Sequence, residues 1–172
     1  MEELIKQAKC GNEKAFIELI DSIKIDLYKI ARTRLMVNDD IEDAVQETMI
    51  EAFNSLKTLR NNNLFKKWII KILVNKCNKI YKKRKNSISY EELETEKFVA
   101  DNSTDNVISN LEFDSMLKSL NYDEKIAVVL YYLEDYTTKD IAKILKTSEN
   151  TIKSRLRRAK LKMKENYERE GK

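Results

Sequence analysis

Proline and histidine are absent from this chain of 172 residues, and glycine and cysteine occur only twice each. Without proline, and with so little glycine, tight hairpins and glycine-hinged loops are scarce, which argues against a sheet architecture. The lack of histidine removes the most common general base and metal ligand. Cys10 and Cys77 lie far apart in the sequence without metal-ligand spacing, so we expect two reduced thiols.

Long apolar runs and catalytic sequence motifs are missing as well. No apolar run is long enough to span a bilayer, and the N-terminal residues MEELIKQAKC lack the hydrophobic region of a signal peptide. We therefore expect a cytoplasmic protein. No phosphate-binding loop, dinucleotide-binding loop or nucleophile elbow occurs. We expect no enzymatic activity, no cofactor, no metal and no small-molecule substrate, and an enzyme that relies on carboxylates is the remotest alternative.

The chain is rich in lysine, glutamate, isoleucine and leucine arranged with helical periodicity, which predicts an all-α fold. A first amphipathic helix is expected to start at Asn12. Asp39 or Asp40 is a suitable N-cap for the helix predicted over residues 41–56. The apolar spacing places Phe53 and Trp68 in the core. Further helices are predicted over residues 41–56, 65–85, 105–120, 123–133, 138–145 and 149–167.

Charge divides the chain into three parts. Residues 1–85 hold 18 Lys and Arg against 12 Asp and Glu, residues 86–112 hold 1 against 7, and residues 113–172 hold 14 against 10. Two basic blocks on either side of an acidic stretch indicate two nucleic-acid contacts joined by a connector. We therefore predict two small helical domains, residues 1–85 and 111–172, with an acidic flexible linker over residues 86–110.

The most informative stretch is residues 151–164, TIKSRLRRAKLKMK, which follows residues 137–150, TTKDIAKILKTSEN. Ile152, Leu156, Ala159 and Met163 recur at helical spacing and mark a core-facing stripe, whereas the other positions are mostly basic. A solvated lysine-rich helix is the plain alternative. The capping residues and the preceding helix favour a helix-turn-helix whose second helix enters the DNA major groove.

Two further features lie in the first basic block. In the predicted helix 41–56 an exposed stripe at helical spacing contains Asp43, Gln46, Glu47 and Ile50. The segment 57–64 includes Arg60 and three consecutive asparagines, which favour a loop with available hydrogen-bonding groups. The helix 65–85 that follows has nine basic residues and no acid, so it repels itself unless an anionic partner lies against it.

Three motifs resemble those of bacterial sigma factors of the extracytoplasmic-function type, which contain only two helical domains, region 2 and region 4. They are DIEDAVQET at residues 40–48, FKKWIIKILVN at residues 65–75 and TIKSRLRRA at residues 151–159. Their order and spacing cover nearly the whole chain. This sequence departs from the family pattern where Asn121 follows Leu120 in place of a proline, and where Lys146 stands in place of a frequent glycine.

The resemblance implies a role for each surface. The stripe Asp43, Gln46, Glu47 and Ile50 would bind the β′ clamp helices of core RNA polymerase. The loop and the basic helix would open promoter DNA and hold the minus-ten element, through Arg60, Asn61, Asn62, Lys66, Lys71, Asn75, Asn78, Lys82 and Arg84. The helix-turn-helix would read the minus-thirty-five element, through Thr138, Lys139, Thr151, Lys153, Ser154, Arg155, Arg157 and Arg158.

The resemblance also implies partners: core RNA polymerase, contacted at the clamp helices and the β flap, promoter DNA, and a cognate anti-sigma factor, which is often bound to the membrane in this family. Two other functions remain open. A stand-alone helix-turn-helix regulator would bind duplex DNA tightly without polymerase, but it gives no reason for the motif at residues 65–75. An all-α interaction module would bind an acidic protein and show no promoter preference.

Overall fold

Helices form every regular element in the part of the chain that the computed structural model describes, residues 1–87 and 117–170. The all-α expectation is therefore confirmed. The chain divides into two units, Met1–Val99 and Ala100–Lys172. The predicted linker, residues 86–110, lies outside the described residues, apart from two residues that extend the preceding helix. Most of the predicted helix 105–120 also lies outside them.

The first unit contains five helices among its described residues. They are α1 (Glu2–Lys9), α2 (Glu13–Asp21), α3 (Lys24–Arg32), α4 (Asn38–Ser55) and α5 (Phe65–Ser87). Two short 3₁₀ turns, Leu56–Thr58 and Asn62–Leu64, lie in the segment between α4 and α5. The largest fully buried side chains of this unit come from α1, α2, α3 and α5 and include Ile5, Leu19, Leu27, Ile30, Phe65, Ile69 and Leu73.

Helix α1 was not predicted, because it is short and its N-cap, Met1, makes no side-chain capping bond. It nevertheless buries Ile5 and Ala8 against the rest of the unit. The predicted start of the next helix is confirmed, since the side chain of Asn12 accepts a hydrogen bond from the backbone N–H of Ala15. Gly11 has a φ of +93°, which glycine adopts without strain at the turn between the helices.

Helix α4 starts earlier than predicted. Neither Asp39 nor Asp40 is its N-cap, because Val37 occupies that position without a side-chain hydrogen bond. Both carboxylates instead lie in the first turn, where negative charge interacts favourably with the helix dipole. The core assignment of Phe53 is also wrong: this ring is 46% exposed and packs edge-on against Phe16, with 5.1 Å between ring centroids.

The second unit contains α6 (Tyr122–Val128), which continues into a π-helical turn (Val129–Leu133), α7 (Thr138–Leu145) and α8 (Glu149–Glu170). Asn121 and Glu124 form a reciprocal capping box at the start of α6. The core includes Ile126, Leu130, Ile141 and Ile152. Within the predicted stripe of α8, Ile152 and Ala159 are buried, whereas Leu156 and Met163 are only partly buried.

The turn between α7 and α8 has the capping expected for a helix-turn-helix. The hydroxyl of Thr137 accepts a hydrogen bond from the N–H of Asp140, and that of Ser148 accepts one from the N–H of Thr151. Lys146 ends α7 in the left-handed conformation, with φ 52° and ψ 48°. A side chain with a Cβ atom costs about 1–2 kcal/mol in this conformation.

Replacing Lys146 with glycine is therefore expected to stabilise the second unit. Because glycine also increases the entropy of the unfolded chain, the net gain in the free energy of unfolding is about 0.5–1 kcal/mol. A urea titration followed through the amide NMR signals of α7 and α8 measures it. Lys143→Gly, within α7, is the matched control and should lose about 1 kcal/mol. A loss in both variants would contradict this prediction.

The two cysteines lie in different surroundings. Cys10 is exposed at the end of α1, whereas Cys77 lies fully buried in α5, where burial raises its pKa to about 12. Within the described residues, no cluster of three or more histidine, cysteine or carboxylate side chains is arranged to bind a metal ion. None of the helices in the described part of the chain is both long and apolar enough to cross a membrane.

Candidate functional site

The predicted stripe on α4 is exposed along its whole length. Asp43, Gln46 and Glu47 are open to solvent, and the side chain of Ile50 is 62% exposed. An exposed isoleucine flanked by charged and amide groups is suitable for protein binding, where the apolar residue supplies affinity and the polar rim sets orientation.

Lys76 of α5 holds the acidic edge of this stripe. Its ammonium nitrogen lies 2.7 Å from a carboxylate oxygen of Glu51 and 3.3 Å from one of Glu47. The hydrogen bond to Glu51 is the main cause of a raised pKa of Lys76. These three side chains line a shallow groove together with Ile50, Asn54 and Ser55. Lys76 was not among the residues predicted for this surface, because its two partners lie on another helix.

The loop between α4 and α5 has internal contacts that the sequence did not predict. Arg60 is exposed. The side-chain oxygen of Asn61 accepts a hydrogen bond from the N–H of Asn63 at 3.0 Å. The side-chain oxygen of Asn62 accepts one from the ammonium group of Lys9 at 2.6 Å. Of the three loop residues predicted to hold the minus-ten element, Asn61 and Asn62 therefore have their amide oxygens engaged within the protein.

The predicted contacts on α5 fall into two groups. Lys71 and Lys82 are exposed and form no ion pair with any residue that the structure describes. Lys66 pairs with Asp26 at 2.8 Å, and Arg84 pairs with Asp40. Asn75 is partly buried. Only part of the positive charge on this helix is thus balanced by described acidic residues.

Two side chains of α5 differ from the simplest expectation. Asn78 accepts a hydrogen bond from the buried guanidinium of Arg34, so its amide oxygen faces the protein. Trp68, predicted to lie in the core, is only partly buried and lies beside Phe65, with 6.0 Å between ring centroids.

The helix-turn-helix presents an exposed basic surface on α8. Lys153, Ser154, Arg157 and Arg158 are exposed, as is Lys139 at the start of α7. Thr138 donates a hydrogen bond to Glu149 at 2.9 Å, and the same carboxylate oxygen pairs with Lys153. The hydroxyl of Thr151 lies 2.7 Å from that of Ser148. The structure therefore brings together the first turns of α7 and α8.

Acidic residues of α6 hold the other basic side of α8. The guanidinium of Arg155 donates to Asp123 at 2.6 Å, and only 18% of the Arg155 side chain is exposed. Glu124, whose side chain is 1% exposed, bonds Lys162 at 2.7 Å and pairs with Arg158 at 3.6 Å. Neither Asp123 nor Glu124 was among the predicted site residues, because each meets its partner only after α6 and α8 pack together. The pattern Asn121-x-x-Glu124 is nevertheless readable as a capping box.

The surroundings of Glu124 fix its charge. Burial by itself raises the pKa of this carboxyl group, but the hydrogen bonds from Lys162 and from the backbone N–H of Asn121 outweigh burial, so that the net pKa is lowered. A folded-state pKa below the unfolded value means that the ionised group stabilises the fold above about pH 4.3. This stabilisation is lost as the pH falls through the lowered folded-state pKa.

Glu124→Gln is therefore expected to remove part of the acid sensitivity of the second unit. At pH 7 the variant should lose about 1 kcal/mol of unfolding free energy, and this difference should vanish below the folded-state pKa. Urea titrations at pH 3 to 7, followed through amide signals of α6 and α8, measure it. Glu168→Gln, which removes an exposed carboxylate paired with Lys164, should change little. Equal behaviour of the two variants would contradict the assignment.

Comparison with known proteins identifies the class to which these surfaces belong. Residues 19–87 match the model of sigma-70 region 2, and residues 110–163 match that of sigma-70 region 4. The chain is 32% identical over 143 residues to RNA polymerase sigma factor SigV of Bacillus subtilis, covering 83% of this chain and 85% of that protein. It is 28% identical over 161 residues to ECF RNA polymerase sigma factor SigM of Mycobacterium tuberculosis, with coverages of 94% and 81%.

A solved structure agrees in fold. The sigma factor RpoE of Bartonella quintana, determined in complex with the anti-sigma factor NepR, matches with a TM-score of 0.69 and 22% identity over 90% of this chain and 98% of that one. The chain therefore belongs to the sigma-70 family of RNA polymerase sigma factors. Within that family it is an extracytoplasmic-function sigma factor, which is a transcription initiation factor. The similarity to these relatives favours this function over that of a stand-alone regulator.

Proposed function

We propose that the chain binds core RNA polymerase through α4 and holds promoter DNA at two places, the minus-ten element with its first unit and the minus-thirty-five element with its second. Residues 1–85 would act as region 2, residues 111–172 as region 4, and residues 86–110 as the acidic linker. The observation that carries this proposal is the exposed stripe around Ile50, on the same unit as the basic helix α5.

The stripe suits the β′ clamp helices because it combines one exposed apolar side chain with fixed charges. Lys76 holds Glu47 and Glu51 in place before binding, so less side-chain entropy is lost when the interface forms. Asp43 and Gln46 extend the polar rim along the helix, and Ile50 would enter an apolar site on the partner.

The loop and α5 suit single-stranded DNA. Separating and unstacking bases costs a few kcal/mol, which contacts to the released strand must offset. Exposed Arg60, Lys71 and Lys82 can contact phosphates, and the amide groups of Asn61 and Asn62 can contact a base edge. Further proposed contacts are Asn75, Asn78, Lys66 and Arg84. The last three would first have to release their present partners within the protein, Arg34, Asp26 and Asp40.

The helix-turn-helix suits duplex DNA in the major groove. Lys153, Ser154 and Arg157 lie on the exposed side of α8, and Thr138, Lys139 and Thr151 lie at helix starts, where backbone amides can hold a phosphate. Arg155 and Arg158 would act while held beside α6. The second unit would also contact the β flap of the polymerase.

A cognate anti-sigma factor is proposed as an inhibitor, because the related RpoE was solved with one. Exposed apolar groups that bind polymerase are also suitable for an inhibitor, so the two partners would compete for the first unit. Such an inhibitor, anchored in the membrane or not, would act where the polymerase is, in the cytoplasm.

Run-off transcription tests the proposed function. Purified core RNA polymerase is supplied with sheared DNA of the source genome, with and without the protein. New discrete start sites that share two upstream elements would support the proposal, and Arg158→Ala should abolish a subset of them. Specific duplex binding without new start sites would instead favour a stand-alone regulator.

A further inference from the structure

Lys9, at the end of α1, lies against the loop proposed to capture the minus-ten base. Its ammonium group donates one hydrogen bond to the backbone carbonyl of Leu59 and another to the side-chain oxygen of Asn62, each at 2.6 Å. The two acceptors are 50 and 53 residues away in sequence. They stand on either side of Arg60 and Asn61, so one ammonium group spans the tip of the loop.

Helix α1, which carries Lys9, is packed against the rest of the first unit. Ile5, one turn before Lys9, and Ala8, directly before it, are buried, and the side chain of Leu59 is buried on the loop side. Hydrogen bonds from a charged donor are about twice as strong as those between neutral groups. Since Lys9 is itself only partly exposed, its two bonds are shielded from competition with water.

The contact also fixes which end of the Asn62 amide is available. The oxygen accepts from Lys9, so the NH₂ group is the end that remains for a base. Asn61 is held in the same sense, because its oxygen accepts from the N–H of Asn63. The available ends of the Asn61 and Asn62 amides are therefore donors, and Arg60 adds the N–H groups of its guanidinium.

We propose that Lys9 is a positioning residue for promoter recognition, which shapes the loop of residues 59–62 and orients the Asn62 amide toward the unstacked base. This inference rests on the proposed function of that loop. A flexible loop must be ordered when it closes on a base, which reduces affinity and selectivity, whereas a loop ordered in advance avoids this cost. Lys9 itself contacts protein groups rather than DNA.

The test uses the holoenzyme formed from core polymerase and the full chain. The probe is a fluorescent fork DNA with an unpaired minus-ten non-template strand, taken from a promoter mapped by run-off transcription. Kd is measured for the matched fork and for forks with single base changes, and their ratio gives the discrimination. Lys9→Met should reduce the ratio at the captured base at least fivefold, Lys9→Gln should reduce it less, and Lys9→Arg should preserve most of it.

Lys6→Met is the matched control. Lys6 has the same charge on the same helix, but it pairs with Glu2 in an exposed contact and not with the loop. It should keep the wild-type ratio, whereas a general loss of positive charge would lower the affinity of both variants for every fork. The melting temperature of each variant is measured in parallel, and Lys9→Gln provides a second readout if Lys9→Met unfolds the first unit.

The possible outcomes distinguish the positioning role of Lys9 from the proposed function of the loop. A wild-type ratio in Lys9→Met and Lys9→Gln, with or without a lower melting temperature, would restrict Lys9 to stability and overturn its positioning role. If the wild-type protein itself does not discriminate among bases at any position of the fork, the proposed function of the loop fails, independently of Lys9. Loss of discrimination in Lys9→Met but not in Lys6→Met supports the inference.

Discussion

Ile50→Glu is expected to weaken the binding of core RNA polymerase by about 100-fold. Complete burial of an isoleucine side chain contributes about 1.5–3 kcal/mol, and a carboxylate at the same place must lose hydration without a partner. The variant also adds negative charge beside Glu47 and Glu51. Fluorescence anisotropy of the labelled protein, titrated with core polymerase, gives Kd directly, and abortive transcription should fall in parallel at limiting protein concentration.

Ile25→Glu provides the control for this experiment. Ile25 lies on α3, is 56% exposed and does not line the groove around Ile50. The change in charge, size and apolar area is the same, so a general effect of an added carboxylate would appear in both variants. If Ile50→Glu binds polymerase like the wild type, α4 is not the docking surface.

Arg157→Ala is expected to have the largest effect on recognition of the minus-thirty-five element. Arg157 is exposed on α8 and forms no ion pair with a residue of the described ranges, so its guanidinium is available to DNA. A bidentate contact with guanine contributes about 1–3 kcal/mol of discrimination. The holoenzyme should therefore lose roughly 5- to 150-fold in preference for the native element over a scrambled one, measured by competition binding.

Two other substitutions on α8 distinguish the possible causes. Lys164→Ala removes an exposed charge that is paired with Glu168, and it should leave the preference unchanged. Arg155→Ala breaks the contact with Asp123, so it should lower the stability of the second unit as well as DNA binding. A uniform loss of affinity for native and scrambled DNA in Arg157→Ala would assign this residue to phosphate contact instead.

Elements with strong local signals were predictable from the sequence. Helix α7 has the predicted bounds, residues 138–145, because threonine capping and a clear apolar period mark it. The sigma-factor motifs were equally clear, and the family assignment is confirmed. Helix α1 lacks both a capping side chain and a long apolar period, so local rules did not detect it.

Contacts between residues distant in sequence were not predictable. Lys9 meets Leu59 and Asn62, and Arg155 meets Asp123, only after helices that are separated along the chain have packed. Helical spacing correctly placed Ile50 on an exposed face. It does not show which basic side chains form ion pairs with acidic residues of the same protein. The roles of the site residues themselves stay predictions until binding is measured.

The burial of Cys77 makes the natural protein suitable for site-specific labelling. With a pKa of about 12 and no exposed surface, this thiol forms almost no thiolate at neutral pH, and maleimide reagents react with thiolate. Cys10 is exposed and is the only other cysteine of the chain. A dye would therefore attach at one position, next to Lys9, and report movement of the neighbouring loop during promoter opening without any engineered cysteine.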